Sequence, residues 1–299
     1  MWNLKNDTNM KTKHFITLFV AAAFSLSVCA QQSVYDNYAG VNLGGGMNTM
    51  LYQAANGSSK VGGGFEAGLF YARFFNNLVG LGAGFQYTFA TSSALYNTTE
   101  VTTGLVHPSN PNMTYNLTTS FNNWREQQTI GWLSIPVEVL FRYPVVNNWL
   151  FLGGVGLSID FPVHGAYKAK GGDYTNSGTF PDLGPYALTN MPEHGFSTYN
   201  DVQGAKINNR AKAGGSILLD AGMRYALKEH WGVYMGLYLG CGLTNLIAEA
   251  KTAPMVLINA TNASQIDYAG TFDSNETKVA RLFRFGVKVA VDFGWSDNR

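Results

Sequence analysis

The chain has few charged residues for its length. Asp, Glu, Lys and Arg make up 13% of its 299 residues, against roughly 25% in an average soluble domain. The formal net charge is only +1, so the composition gives no sign of the strongly basic surface that binds nucleic acid. This argues against a nucleic-acid partner and directs attention to the 34 glycines, 19 phenylalanines and 16 tyrosines.

The chain is also poor in cysteine, with one at Cys29 and one at Cys241. Cys29 lies within a segment that is typical of an export signal, so removal of that signal leaves Cys241 alone. A single cysteine cannot form an internal disulfide bond. The count therefore argues against a small, disulfide-stapled extracellular scaffold.

Long apolar runs are absent after the first thirty residues. No later stretch reaches the roughly 18 continuous apolar residues of a membrane-spanning helix, which excludes a helical membrane protein. The chain also lacks a Walker loop, a metal-spaced Cys/His set and a Gly-x-Ser-x-Gly elbow. We therefore expect no catalytic, cofactor-binding or metal-binding residues, and no cofactor.

Residues 1–30 have the pattern of a signal peptide. An apolar run from residue 15 to residue 28 follows basic residues, and Val28-Cys29-Ala30 is typical of a cleavage site. Cleavage after Ala30 makes residues 31–299 the mature chain. A looser match to a lipoprotein box leaves lipidation of Cys29 as the alternative.

The last regular segment, residues 282–295, alternates apolar residues with charged or small ones. Successive side chains of a strand point to opposite faces, so this segment presents one apolar face and one charged, small-residue face. The same alternation recurs along the chain and predicts eight strands. These are residues 38–45, 64–75, 79–89, 127–143, 149–163, 216–227, 231–243 and 282–295.

The predicted connections alternate in length. Short turns at 76–77, 146–148 and 228–230 alternate with long polar segments, as in outer-membrane barrels with short periplasmic turns and long surface loops. We therefore predict an all-β fold in which residues 31–299 form one eight-stranded antiparallel transmembrane up-and-down β-barrel, with long extracellular loops and short periplasmic turns. A soluble sandwich or lipocalin-like barrel is the alternative, but its polar face should be rich in Lys and Glu rather than in Gly.

In such a barrel the charged face points inward. An unpaired buried charge is costly, and the five acids and four bases on this face nearly balance, so they are expected to pair. Eight strands enclose an interior that side chains can fill, which predicts a plugged barrel rather than a pore. The predicted structural charge network consists of Glu66, Glu138, Arg142, Asp160, Asp220, Arg224, Arg284, Lys288 and Asp292.

Aromatic residues lie beside the short turns, where an aromatic girdle would meet the periplasmic membrane interface. The predicted girdle consists of Phe75, Tyr143, Trp149, Tyr225 and Trp231.

Three features carry a family resemblance: the signal ending Val28–Gln32, the strand Trp132–Glu138 with its Leu-x-Ile-Pro element, and the terminal alternating strand. In these the chain resembles the outer-membrane β-barrel domain proteins of Bacteroidetes, a group that includes the PorT-like proteins. It resembles the eight-stranded OmpA and OmpX type barrels more distantly. The resemblance implies an outer-membrane location and, for the PorT-like members, a part in protein secretion. One departure is the tail after Trp295, because such barrels usually end on an aromatic residue.

These patterns predict a non-enzymatic, monomeric, porin-like protein of the bacterial outer membrane. Its long segments 91–126, 164–213 and 244–280 would bind surface partners or support the envelope. The expected partners are outer-membrane lipid, the assembly machinery, and other envelope or secretion proteins. Two alternatives stay open: a PorT-like accessory of protein secretion, and a lipid-modifying enzyme. The enzyme would use Asp160 and His164, which are four residues apart and could face the same side of a strand.

Overall fold

The computed structural model describes residues 35–108, 110–200, 205–206, 212–247 and 252–296. The predicted signal peptide and the lipidation of Cys29 lie outside the described residues. These residues consist mostly of strands, with one single-turn α-helix, α1 (Gly270–Asp273), and the 3-10 turns Pro181–Leu183 and Pro192–His194, so the all-β prediction is confirmed. Within the described ranges, none of the helices is both long and apolar enough to cross a membrane.

The strands are β1 (Asn37–Tyr52), β2 (Gly57–Phe74), β3 (Val79–Tyr96), β4 (Thr99–His107), β5 (Asn110–Val146), β6 (Trp149–Thr179), β7 (Ala187–Leu188), β8 (Thr198–Tyr199), β9 (Ala205–Lys206), β10 (Gly214–Ala226), β11 (Trp231–Gly242), β12 (Val256–Ile258), β13 (Ile266–Tyr268) and β14 (Ala280–Trp295).

Eight of these strands pair in an unbroken antiparallel cycle. The last strand, β14, pairs with the first along its whole length, from Trp295 opposite Asn37 to Ala280 opposite Tyr52. Each member has a partner on both sides, so the paired region has no free edge. The order around the cycle is β1, β2, β3, β5, β6, β10, β11 and β14.

The sheet as a whole has twelve strands, where the sequence predicted eight. The additional strands β4, β7, β8 and β9 pair with the parts of β5 and β6 that extend beyond their neighbours. The prediction that residues 91–126 and 164–213 are loops is therefore wrong for much of both segments. These stretches place Thr, Ser and Asn on the outer face and rings such as Tyr115, Phe121 and Tyr174 on the buried face. They lack the apolar outer face from which the other strands were predicted.

All three short turns lie at one end of the cycle. In the first, the side chain of Asn76 accepts hydrogen bonds from the backbone N–H groups of Leu78 and Val79, at 2.8 and 2.7 Å. In the second, Asn147 has a φ of 46°, a left-handed conformation that Asn tolerates better than most residues. The two asparagine turns thus form where the sequence predicts them.

Pro136 lies where one ladder of β5 is interrupted. It faces Ser158 of β6, but the pairing of β5 with β3 omits Ile135 and Pro136 between Ser134 and Val137. Proline has no N–H to donate to a ladder, so a locally unpaired position is where it is tolerated.

Candidate functional site: the interior of the strand cycle and its cap

The two faces of the cycle differ sharply in chemistry. On the outer face, Leu43, Leu69 and Leu157 are 62%, 61% and 60% exposed. Inside, Arg224 and Arg284 are 3% and 1% exposed. The fold therefore exposes its apolar side chains and encloses its charges, the reverse of the arrangement in a soluble protein.

At the end with the short turns, two arginines fill the interior. The Nε atom of Arg224 donates to Asp292 at 2.9 Å, and its guanidinium lies 4.8 Å from the ring centroid of Tyr38. Arg142 lies 4.0 Å from the ring centroid of Phe74. Arg142 also donates to the backbone carbonyls of Tyr35, Asn76 and Asn77, so this cation is held by the turn rather than by a carboxylate.

The middle of the interior carries one ion pair and two further acids. Lys288 Nζ lies 2.5 Å from Asp220 Oδ1. Glu66 and Glu138 line the same internal cavity of about 140 Å³ as this pair, together with Tyr234. Asp292, Arg224 and Arg284 also line this cavity, so the structure brings four predicted acids and three predicted bases together around it.

Towards the other end, Asp160 is at the centre of a hydroxyl cluster. It accepts hydrogen bonds from Ser134 at 2.5 Å, from Ser158 at 3.0 Å and from Ser216. Arg284 lies 3.6 Å from the same carboxylate and donates to Ser158 at 3.2 Å. Of the nine predicted network residues, three acids form ion pairs, Arg142 binds backbone carbonyls, and Glu66 and Glu138 line the cavity.

A cap closes the interior at the end opposite the short turns. The cap is the segment of residues 252–279; it folds over this opening, and α1 within it lies against the inner wall of the cycle. The ring of Phe272 packs edge-on to Tyr52 with centroids 4.9 Å apart. Phe272 and Tyr52 belong to a buried cluster that also contains Trp124 and Trp132, so the cap is part of the hydrophobic core.

Glu126 anchors this cap. Its carboxylate accepts hydrogen bonds from the backbone N–H of Thr271 at 3.0 Å, from the hydroxyl of Tyr268 at 2.6 Å and from the side chain of Gln128 at 2.8 Å. Burial raises the pKa of Glu126, an effect that these hydrogen bonds oppose. The sequence prediction missed Glu126 because it treated residues 91–126 as a loop. A signal was present, since Trp124, Glu126, Gln128, Ile130 and Trp132 occupy alternate positions and all face inward.

A second polar contact joins the cap to two neighbouring segments. The side-chain amide of Asn56 donates to Glu100 at 3.0 Å and to Glu276 at 2.9 Å. Burial first, and then the adjoining Glu276 carboxyl, raises the pKa of Glu100 to about 7. This contact links the β1–β2 connection, β4 and the cap.

Two histidines meet beyond the cap. His107 Nε2 and His194 Nδ1 are 3.1 Å apart, and His107 lies among the rings of Tyr115 and Phe180. Burial, and then the proximity of His194, lowers the pKa of His107. The pair joins the end of β4 to the 3-10 turn Pro192–His194. Among the described residues, no group of three or more His, Cys, Asp or Glu could hold a metal ion.

The structure separates the two residues of the enzyme alternative. Asp160 is buried inside the cycle, whereas His164 is exposed. The β5–β6 pairing shifts register between Gly131, opposite His164, and Trp132, opposite Pro162. A shift of one residue reverses the faces of the strand beyond it. The expectation that Asp160 and His164 share one side is therefore wrong.

In comparisons with known proteins, the chain is similar only to solved structures. Neither a protein-family model nor a curated protein matches the chain. The chain is similar to Neisserial surface protein A, with 10% identity, 87% of this chain and 97% of that chain covered, and a TM-score of 0.35. It is also similar to Ail, the attachment invasion locus protein of Yersinia pestis, with 11% identity, 86% and 99% covered, and a TM-score of 0.29. For Ail in complex with the heparin analogue sucrose octasulfate, the identity is 10%, the coverage 86% and 99%, and the TM-score 0.28.

Proposed function

We propose that the chain is an integral protein of the bacterial outer membrane in which the eight-stranded cycle is the transmembrane up-and-down barrel. The short turns are then periplasmic, and the cap and the extensions of β5 and β6 are extracellular. The observation that carries the proposal is the exposed apolar outer face, because a contiguous patch of this kind is rarely left to water in a soluble monomer. Strands that alternate apolar-out and polar-in are the pattern of outer-membrane barrels.

The aromatic residues beside the short turns support the same orientation. Phe75, Trp149 and Trp231 are 58%, 44% and 49% exposed. Trp149 packs against Tyr225, with ring centroids 4.9 Å apart. Amphipathic rings at this level favour the interface between hydrocarbon and headgroups.

The barrel is plugged and non-enzymatic on this proposal. Arg142 and the Arg224–Asp292 pair fill the periplasmic end, and the cap fills the extracellular end. The His164 and Asp160 pair that favoured an enzyme lies on opposite sides of the wall. Function then rests on the extracellular surface formed by β4, the upper parts of β5 and β6, and the cap, where a rigid scaffold presents binding segments.

Planar bilayer recording tests whether the barrel is plugged. The purified protein, refolded and inserted, should give no stable, large conductance steps, because side chains occupy both ends of the interior. As a positive control, a variant that lacks the cap, residues 252–279, should show a higher conductance. Stable, large steps from the intact chain would contradict the plugged barrel.

A further inference from the structure

A row of outward-facing polar residues crosses four adjacent strands just above the apolar band. In the strand register, Lys60 of β2 lies opposite Ser93 of β3, Ser93 opposite Gln127 of β5, and Gln127 opposite Lys168 of β6. Directly opposite residues on antiparallel strands have Cβ atoms about 5 Å apart. The row is therefore a continuous strip on the outer wall, with a lysine at each end.

Two more cations extend the Lys168 end of this row. The β5–β6 register shifts between Arg125 and Glu126, opposite Gly171 and Ala169, so Lys170 is the additional residue beside Arg125. Arg125, Lys168 and Lys170 are all exposed. We call these three residues the basic cluster; opposite and diagonal spacings place its members within about 8 Å of one another.

One acid, Asp173, lies near the cluster on the same outer face. Glu126, next to Arg125, points inward and binds the cap. Asp173 accepts a hydrogen bond from Asn122 at 3.1 Å. Among the described residues, no ion pair involves any member of the cluster. Three cations at this spacing outnumber the single acid near them and repel one another, so an anionic ligand between them is favoured.

The distance of the basic cluster from the apolar band indicates which kind of anion it binds. Phe89, opposite Gly131, is the last aromatic residue of the apolar band on β3, and Ser93 and Gln127 are four residues further along. Four residues span about 13 Å along a strand, or roughly 10 Å along the axis of a barrel with strands tilted by about 40°. An ordinary headgroup layer is only about 5 to 8 Å thick on each side of the bilayer.

We propose that the basic cluster binds the phosphate groups of an outer-leaflet lipid with a phosphorylated saccharide headgroup. The cations face sideways from the same strand faces as the apolar band, so their ligand is a neighbouring lipid rather than a molecule above the cap. A saccharide headgroup places phosphates higher than a phosphoglycerol lipid does, and the flexible Lys side chains can reach down to them. This inference rests on the proposed membrane orientation.

The test compares lipid retention by purified variants in detergent micelles, measured by native mass spectrometry. The probes are lipopolysaccharide, the same lipopolysaccharide after chemical dephosphorylation, and inorganic phosphate as a free anion. The test variant is R125Q/K168Q/K170Q. The charge-matched control is R73Q/K228Q/K278Q, and Arg125→Lys keeps the charge at one site. Heat-modifiable electrophoretic mobility verifies that each variant is folded, and the single variants Arg125→Gln and Lys168→Gln replace the triple variant if it does not fold.

We expect at least about tenfold weaker retention of lipopolysaccharide by the triple variant, with retention by the control and by Arg125→Lys close to that of the wild type. The wild type should bind the dephosphorylated lipid as weakly as the triple variant binds the intact one. Equal retention by triple variant and wild type would overturn the inference, as would equal binding of the dephosphorylated lipid or full displacement of the lipid by millimolar inorganic phosphate. Cell fractionation separates the two failures: a soluble wild-type chain removes the proposed function, whereas an outer-membrane chain with unaltered retention removes only the basic cluster as a lipid site.

Discussion

The backbone N–H of Thr271 in α1 donates a hydrogen bond to the carboxylate of Glu126 on β5, at 3.0 Å, and so fixes the cap to the inner wall of the strand cycle. The two residues are far apart in sequence, and the contact is fully buried. Tyr268 and Gln128 also donate hydrogen bonds to the Glu126 carboxylate, so both of its oxygens have partners.

Replacement of Glu126 with Ala should loosen the cap. The substitution leaves the buried donors of Thr271, Tyr268 and Gln128 without their acceptor, at a cost of about 1–3 kcal/mol for each unsatisfied group. Amide hydrogen exchange across residues 252–279 should accelerate, with exchange in β10 and β11 unchanged. The exposed Glu193→Ala variant is the control, and unaltered exchange in the cap of Glu126→Ala would contradict the anchor.

The contact of Asn56 with Glu100 and Glu276 should weaken as pH rises. The folded-state pKa of Glu100, about 7, lies above its ordinary value of 4.5, so the folded state binds the proton more tightly than the unfolded state does. Its contribution to stability is complete below pH 4.5 and is lost as pH rises to about 7. Hydrogen exchange of the backbone N–H of Asn56, which donates to Glu276, should therefore be faster at pH 8 than at pH 5 after correction for intrinsic rates. Glu100→Gln should remove this difference.

The histidine pair should respond to pH in the opposite direction. The folded-state pKa of His107 lies below its ordinary value of 6.5, so its contribution is present above pH 6.5 and is lost as pH falls through the lowered pKa. Protonation of His107 introduces a charge 3.1 Å from the ring of His194 and should separate β4 from the Pro192–His194 turn. Acid-induced change in the NMR signals of residues 191–196 measures this, and the change should be smaller in His107→Phe. An undiminished acid response in that variant would exclude His107 as its source.

Removal of Asp292 should destabilise the end of the cycle that carries the short turns. Arg224 is 3% exposed and has its carboxylate partner at 2.9 Å. An uncompensated buried charge costs about 3–5 kcal/mol. Urea unfolding of Asp292→Ala in micelles should shift to lower denaturant by that free energy, whereas the exposed Glu229→Ala should unfold like the wild type. A shift no larger than that of Glu229→Ala would show that the ion pair is dispensable.

Val289→Arg should prevent insertion. Val289 is exposed on the outer face of β14, between β1 and β11, and an Arg facing lipid near the bilayer midplane costs about 2–4 kcal/mol. The variant should lose heat-modifiable mobility and outer-membrane fractionation. Tyr186→Arg, at a residue 78% exposed between β6 and β7, supplies the same charge outside the cycle and should insert normally.

The eight-stranded cycle could be predicted from the sequence because its strands obey a period of two with a single chemistry on each face. Residues 282–295 show this most clearly, and the structure keeps every predicted face of that strand. The upper parts of β5 and β6 could not be predicted in this way. There the outer face holds Arg125, Gln127 and Thr129, and the inner face mixes Trp124 and Ile130 with Glu126 and Gln128, so neither face is uniformly apolar.

The cap was beyond prediction for a different reason. Its contacts join residues such as Glu126 and Thr271 that no local pattern relates. The near balance of acids and bases in the interior could be predicted, because it depends only on which residues face inward. The pairings of Arg224 with Asp292 and of Lys288 with Asp220 depend on strand register, which only the fold determines.

The central claim is that the apolar outer face meets lipid, and spin labelling tests it most directly. A nitroxide at position 289, in a chain with Cys241 replaced by Ser, is compared in liposomes with one at position 186. Accessibility to oxygen and to a water-soluble nickel complex is measured by electron paramagnetic resonance. The account predicts that the label at 289 is accessible to oxygen and shielded from nickel, with the reverse at 186. A label at 289 that is readily accessible to nickel in the folded protein would contradict it.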